Sequence, residues 1–364
     1  MRETVRRTVL RTAARGLRKG LALPDPLLRR IVGGPVRVDG DELSPTAQLL
    51  IKVERLFQRD EPPLVSDLPR ARREFDLVSS TMLAGSGPGV RVSDTMVGGA
   101  EGLLRARIYL PPGATGATPT MVYFHGGGFV LGSIDSHDGV CRFLSRHSGV
   151  RIISVEYRLA PENPYPAAVD DAIAAFRHVA THSERFGVSA GAIGVGGDSA
   201  GGAIAAVTAH VCIQEQTVAP DFNLMMYPVT DGVGGHPSRE LFRQGFFLDA
   251  EMIAWYQSHY APDRALLTHP RMSPLRAEDF TGLPPTCVVT AGFDPFRDEG
   301  EDYANRLRRD GVPVTRLHYG GLVHGFATFL TSDAHSRRAA HGIAGALRRI
   351  AKPAPPDSQA DLAT

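Results

Sequence analysis

Ser199, Asp294 and His324 are the three side chains of this 364-residue chain whose types and order could carry out acyl transfer. A serine hydroxyl is a weak nucleophile until a neighbouring base takes its proton, and that base must be oriented by a third group. Ser199 lies in Gly197-Asp198-Ser199-Ala200-Gly201, between the strand-like Ala192–Gly196 and a helical stretch from Gly202 to Gln214. A tight strand-to-helix turn of that kind projects the hydroxyl from the sheet edge, and the flanking glycines avoid a Cβ clash. Asp294 follows the apolar run Thr286–Ala291, and His324 follows the strand-like run Val314–Tyr319. All three therefore fall at the C-terminal ends of predicted strands, where open α/β sheets place their sites. Asp298 and Glu299 compete for the role of acid but suit the first turn of a helix. His318 belongs to a strand and His335 and His341 to the last helix, which leaves His324 as the best-placed base.

A second chemical element is His125-Gly126-Gly127-Gly128-Phe129, directly after the strand-like Thr120–Phe124. Consecutive glycines let main-chain N–H groups converge where side chains would block approach. The N–H groups of Gly126, Gly127, Gly128 and Ala200 are the expected oxyanion hole, each donor worth roughly 2.7–4 kcal/mol in the transition state. The rival reading, a phosphate-cradling loop, lacks the Lys-Ser/Thr pair that such loops carry. His125 is expected to brace the loop.

These motifs need a scaffold of strands alternating with helices. Leu103–Leu110, Thr120–Phe124, Arg151–Val155, Ala192–Gly196, Asn223–Tyr227, Thr286–Thr290 and Val314–Tyr319 read as strands. Asp138–Ser148, Ala167–His178, Arg297–Asp310 and about Asp333–Ala351 have helical spacing. That alternation predicts a mainly parallel central sheet with helices on both faces. Residues 81–352 form the catalytic domain in this reading. Residues 1–80 read as a basic, helical, proline-punctuated segment and 353–364 as a disordered tail. The stretch 234–264 breaks the alternation with Phe242, Phe246, Phe247, Met252, Trp255 and Tyr256, and reads as a helical insertion over the site. Phe129, Tyr157, Phe246, Phe247 and Phe326 are the candidate pocket residues.

Composition bounds the partners. A net charge of +1 gives no case for nucleic acid. Within residues 1–30, however, nine Lys or Arg stand against Glu3 and Asp25, a local +7. Such a helix could touch an anionic membrane surface, or its Val5, Val9 and Leu10 could rest on the body. No apolar run reaches the roughly 20 residues of a membrane span or resembles a signal peptide. Cys141, Cys212 and Cys287 are too scattered for a metal pair or disulfide framework, which makes buried reduced thiols and a cytoplasmic location the expectation.

The glycine loop, the elbow Gly197–Gly202, Asp294-Pro295 with Arg297-Asp298-Glu299-Gly300, and His324-Gly325-Phe326 together resemble the hormone-sensitive-lipase-like branch of bacterial carboxylesterases. Tyr157-Arg158-Leu159-Ala160-Pro161-Glu162 and Tyr165–Ala168 are also similar to that branch. The resemblance spans about residues 75–350. It implies an α/β-hydrolase fold, no cofactor or metal, and a small-molecule ester of short to medium acyl chain as substrate. It also implies a cap built from the N-terminal region and the 234–264 insertion, and is compatible with a homodimer. Phe296 departs from the leucine usual in the branch, and the basic first 30 residues lie outside its pattern. A lipase acting on longer chains, an amidase, and a non-catalytic binding protein similar to the plant gibberellin receptors are the alternatives. Those receptors lack the triad histidine, whereas His324 is present here.

Overall fold

The computed structural model describes residues 2–57, 67–330 and 332–352. At its centre is an eight-stranded sheet: β1 (Arg91–Gly99), β2 (Gly102–Leu110), β3 (Thr118–Phe124), β4 (Arg151–Val155), β5 (Val188–Asp198), β6 (Phe222–Met226), β7 (Thr286–Phe293) and β8 (Val314–Val323). The spatial order is β8-β7-β6-β5-β3-β4-β2-β1. The six strands from β8 to β4 are parallel, while β2 pairs antiparallel with both β4 and β1. The strand Arg91–Gly99 at the far edge escaped the sequence reading because its side chains are mostly half-buried or exposed.

Parallel strands covered on both faces must be apolar on both faces. β4 and β6 are buried at every position, and β3 at all but one. Alternate residues of β3 face opposite ways: Val122 and Phe124 join one core with α6 (Ala167–Thr181) and α7 (Ala200–Gln214). Met121 and Tyr123 join the other, with α5 (Asp138–Ser148) and α11 (Ala334–Ile350). Between them in sequence come α8 (Pro237–Leu241), α9 (Ala250–Tyr260) and α10 (Arg297–Arg309). α7 is apolar all round, as befits a helix wedged between the sheet and both α6 and α10. The Asp333 carboxylate caps α11 through the N–H groups of His335 and Ser336.

The N-terminal segment folds as α1 (Arg2–Leu21), α2 (Asp25–Val32), α3 (Pro45–Phe57) and α4 (Leu68–Met82). Ala14, Leu21, Leu50, Ile51 and Met82 pack with Phe242, Phe293, Val323 and Phe329. Phe293 and Val323 end β7 and β8, so these helices lie over the strand C-termini. The basic leader thus rests on the body, though not through Val9. Val9 is 60% exposed, and Ala14, Leu17 and Leu21 make the contact instead. Arg6 pairs with Glu74, and Arg18 donates to the Ala84 carbonyl. The Val5 side chain and the tail 353–364 lie outside the described residues. Among those residues no helix is long and apolar enough to cross a membrane. All three cysteines are free and buried.

Candidate active site

β5 runs into α7 with Ser199 at the corner, where its φ of 53° lies in the left-handed region that only a few per cent of non-glycine residues occupy. The neighbouring glycines are needed because backbone passes within contact range. A Cβ on Gly201 would run into the Phe124 carbonyl, and one on Gly197 into Gly201 itself. The turn is pinned by the Ser199 N–H, which donates to the Met226 carbonyl at 2.8 Å.

Asp294 follows β7 immediately and His324 follows β8 immediately. His324 Nε2 lies 2.8 Å from Ser199 Oγ, and His324 Nδ1 lies 2.8 Å from Asp294 Oδ2. The carboxylate of Asp294 is wholly buried, and its other oxygen accepts the Phe296 N–H at 2.8 Å. The imidazole is held edge-on by the rings of Phe296 and Tyr227, at 5.1 and 5.0 Å. Ser199, His324 and Asp294 therefore form one hydrogen-bonded line. The phenylalanine at position 296 helps to fix the ring.

The glycine loop lies opposite the serine. Gly127 and Gly128 line the same cavity as Ser199 and Ala200, and no acceptor among the described residues takes the Gly127 or Gly128 N–H. Ala200 begins α7, so by position its N–H has no intrahelical partner. Gly126 does not belong with them. Its N–H donates to Asp198 Oδ1 at 2.9 Å and is unavailable to a substrate. Of the four expected donors, Gly126 is therefore ruled out, while Gly127, Gly128 and Ala200 line the cavity.

His125 braces the loop as expected. It is fully buried, stacks on Tyr157 with centroids 4.4 Å apart, and its pKa is pushed down to about 3 by burial. Tyr157 is thereby accounted for: its hydroxyl donates to the His125 carbonyl at 2.7 Å, and it does not line the cavity. Two more pocket expectations need correction. Phe246 packs against Phe242 and Phe293, and Phe326 against Tyr227 and Tyr319. Aromatic residues near a site are drawn equally to core and pocket, and spacing does not distinguish the two. Phe129 and Phe247 do line the cavity.

That cavity has a volume of about 340 Å³ and is predominantly apolar. Phe75, Val78 and Met82 of α4 and Met252, Ile253 and Tyr256 of α9 close over Ser199. Both the N-terminal helices and the 234–264 insertion thus contribute wall.

The group that joins these parts carries no local signal in the sequence. Asp198, the variable residue of the elbow, accepts the Tyr123 hydroxyl at 2.6 Å as well as the Gly126 N–H, and faces His137. A second buried carboxylate, Glu299, accepts the Thr230 N–H and pairs with Arg239. Its place in the first turn of α10 was legible, its bracing role was not.

The chain is similar to known proteins along most of its length. Residues 121–328 match the family described as alpha/beta hydrolase fold. The chain belongs to that family. It is 39% identical over 335 residues to a carboxylic ester hydrolase, LipN, of Mycobacterium tuberculosis, covering 90% of this chain and 88% of that one. It is 35% identical to an ethyl acetate hydrolase of Pseudomonas putida, covering 76% and 88%. Among solved structures, an α/β-hydrolase enzyme from the metagenome of Lake Arreo, Spain, superimposes with a TM-score of 0.80 at 41% identity, covering 84% and 98%. The esterase of Pyrobaculum calidifontis gives 0.78 at 38% identity, covering 85% and 99%. This α/β-hydrolase is an enzyme of the carboxylic ester hydrolase group.

Proposed function

We propose that the enzyme hydrolyses carboxylic esters of short to medium acyl chain through a serine acyl-enzyme. The observation that carries this reading is the Ser199–His324–Asp294 line opening into an apolar cavity beside the Gly127–Gly128 turn. Ser199 Oγ attacks the ester carbonyl as His324 Nε2 takes its proton. Asp294 accepts from Nδ1, holds the tautomer and stabilises the imidazolium. The N–H groups of Gly127, Gly128 and Ala200 receive the negative charge of the tetrahedral intermediate. His324 then protonates the departing alcohol, and water releases the acid by the same steps in reverse roles. A cavity of about 340 Å³ suits modest acyl chains and has the apolar wall that such ligands need.

The testing experiment is hydrolysis of p-nitrophenyl esters from acetate to palmitate, with Ser199→Ala alongside. The expected result is turnover that peaks at short or medium chains and falls about 10⁶-fold in the variant. A peak at long chains would make the protein a lipase. Absence of turnover by folded protein on every ester would favour a binding role.

We further infer a cytoplasmic location, supported by three buried free thiols, with weak contact between residues 1–30 and anionic membrane surfaces. The exposed arginines of α1 and the exposed Val9 support the contact. Vesicle binding unchanged by deleting residues 1–30 would remove it. A homodimer is the assembly to look for by sedimentation.

A further inference from the structure

Glu54 takes no part in the scheme above, yet it lines the same cavity as Ser199. It follows Leu50 and Ile51 on α3 at helical spacing, and both of those are buried in the N-terminal core. Their packing turns this face of α3 inward, and Glu54 is half-buried on it in the cavity wall. Burial and then the nearby Asp249 carboxylate push its pKa up to about 7 against the pull of Arg55, and no hydrogen bond among the described residues relieves it. Arg55 is directed elsewhere: its guanidinium donates to the Gly245 carbonyl at 3.2 Å. Asp249 is occupied as the cap of α9, accepting the Met252 N–H.

An unpartnered carboxyl in an apolar cavity is costly, and a ligand that brings the complementary charge offsets that cost. The remaining wall suits the same ligand. Phe75, Phe247 and Tyr256 line the cavity, and aromatic rings attract alkylammonium groups. A ligand carboxylate would meet Glu54 and Asp249 as like charges.

Resting on the esterase reading, we propose that the cavity selects esters whose acyl or alcohol part carries an alkylammonium group. Glu54 sets the preference, and the Phe75, Phe247 and Tyr256 rings supply the contact surface. The selection acts through binding of the substrate's remote end, so it leaves the acyl-transfer steps as described.

The test compares butyrylcholine with its neutral carbon isostere, 3,3-dimethylbutyl butyrate, at pH 8, where a carboxyl titrating about 7 carries its charge. The expected kcat/KM ratio favours the cationic ester by roughly tenfold in the wild type. In Glu54→Gln it falls to near one. A wild-type ratio of one or below, or a ratio that Glu54→Gln leaves unchanged, overturns the proposal. Hydrolysis of the neutral ester by wild type and its loss in Ser199→Ala report separately on the esterase reading. If neither ester is hydrolysed, calorimetric titration of Ser199→Ala with butyltrimethylammonium decides instead. Binding that weakens about tenfold on adding Glu54→Gln supports the preference, and equal or absent binding overturns it.

Discussion

The ring of His137 and the carboxylate of Asp198 meet in the cavity wall beside Ser199, with Nε2 3.3 Å from Oδ1, and both residues are buried. Burial opposes charge on each. The Asp198 carboxylate nevertheless raises the His137 pKa above its ordinary value. The His137 charge, with hydrogen bonds from His137, Tyr123 and Gly126, holds Asp198 below its own. Since Asp198 precedes Ser199 and also holds Gly126, one carboxylate ties the elbow to the glycine loop.

Asp198→Asn should therefore damage both stability and rate. Removing one partner of a buried pair costs about 3–5 kcal/mol, and a loosened loop costs about 10²-fold in kcat with KM little changed. The pair's stabilisation is fully present above the usual aspartate pKa and below the usual histidine value. It fades as pH falls through the lowered Asp198 pKa or rises through the raised His137 pKa. Thermal melts of both proteins across pH, with ester kinetics, check each part.

Asp294→Asn should preserve the fold while placing the wrong tautomer against Ser199, because an amide nitrogen can donate where His324 Nδ1 needs an acceptor. The expected loss in kcat is about 10⁴-fold with KM nearly constant. Steady-state kinetics on one ester measures it.

Gly128 has a φ of 62°, and a Cβ there would run into the Tyr256 ring. Gly128→Ala should lower kcat/KM by about 10²-fold through displacement of the loop. Adding Tyr256→Ala should recover part of that loss by removing the steric component, while the backbone cost of about 1–2 kcal/mol remains. A double-mutant cycle on kcat/KM reads the coupling.

His210 is buried between α7 and α10, with Nε2 3.0 Å from the Tyr303 hydroxyl, and burial lowers its pKa to about 4. Below the ordinary histidine pKa the unfolded chain takes up a proton that the folded chain refuses until about pH 4. Stability contributed by neutral His210 therefore falls with pH across that window, by about 1.4 kcal/mol per pH unit. Replacing His210 by Gln should make the pH dependence of unfolding shallower by about one proton between pH 4 and 6.5. Denaturant titrations at several pH values test the slope.

The chain order Ser199, Asp294, His324 and the glycine loop were legible because each is a local signal: a strand, then a constrained turn, then a side chain. Central strands such as Arg151–Val155 were legible for a similar reason, being apolar on both faces. The edge strand Arg91–Gly99 was not, because edge positions carry no continuous apolar run. The pocket was only half legible. Phe129 and Phe247 face the cavity, whereas Tyr157, Phe246 and Phe326 were claimed by packing partners distant in sequence.

By itself the sequence determined the α/β alternation, the elbow and the candidate nucleophile, base and acid, since periodicity and turn chemistry are properties of neighbouring residues. Only the tertiary structure decided which donors are free. Gly126 and Gly127 are adjacent and chemically identical, yet Asp198 takes one N–H and no acceptor among the described residues takes the other. It alone also showed that Glu54 stands in the cavity wall. Both outcomes depend on groups that meet across the fold, where distance and burial rather than spacing decide what a polar atom can reach.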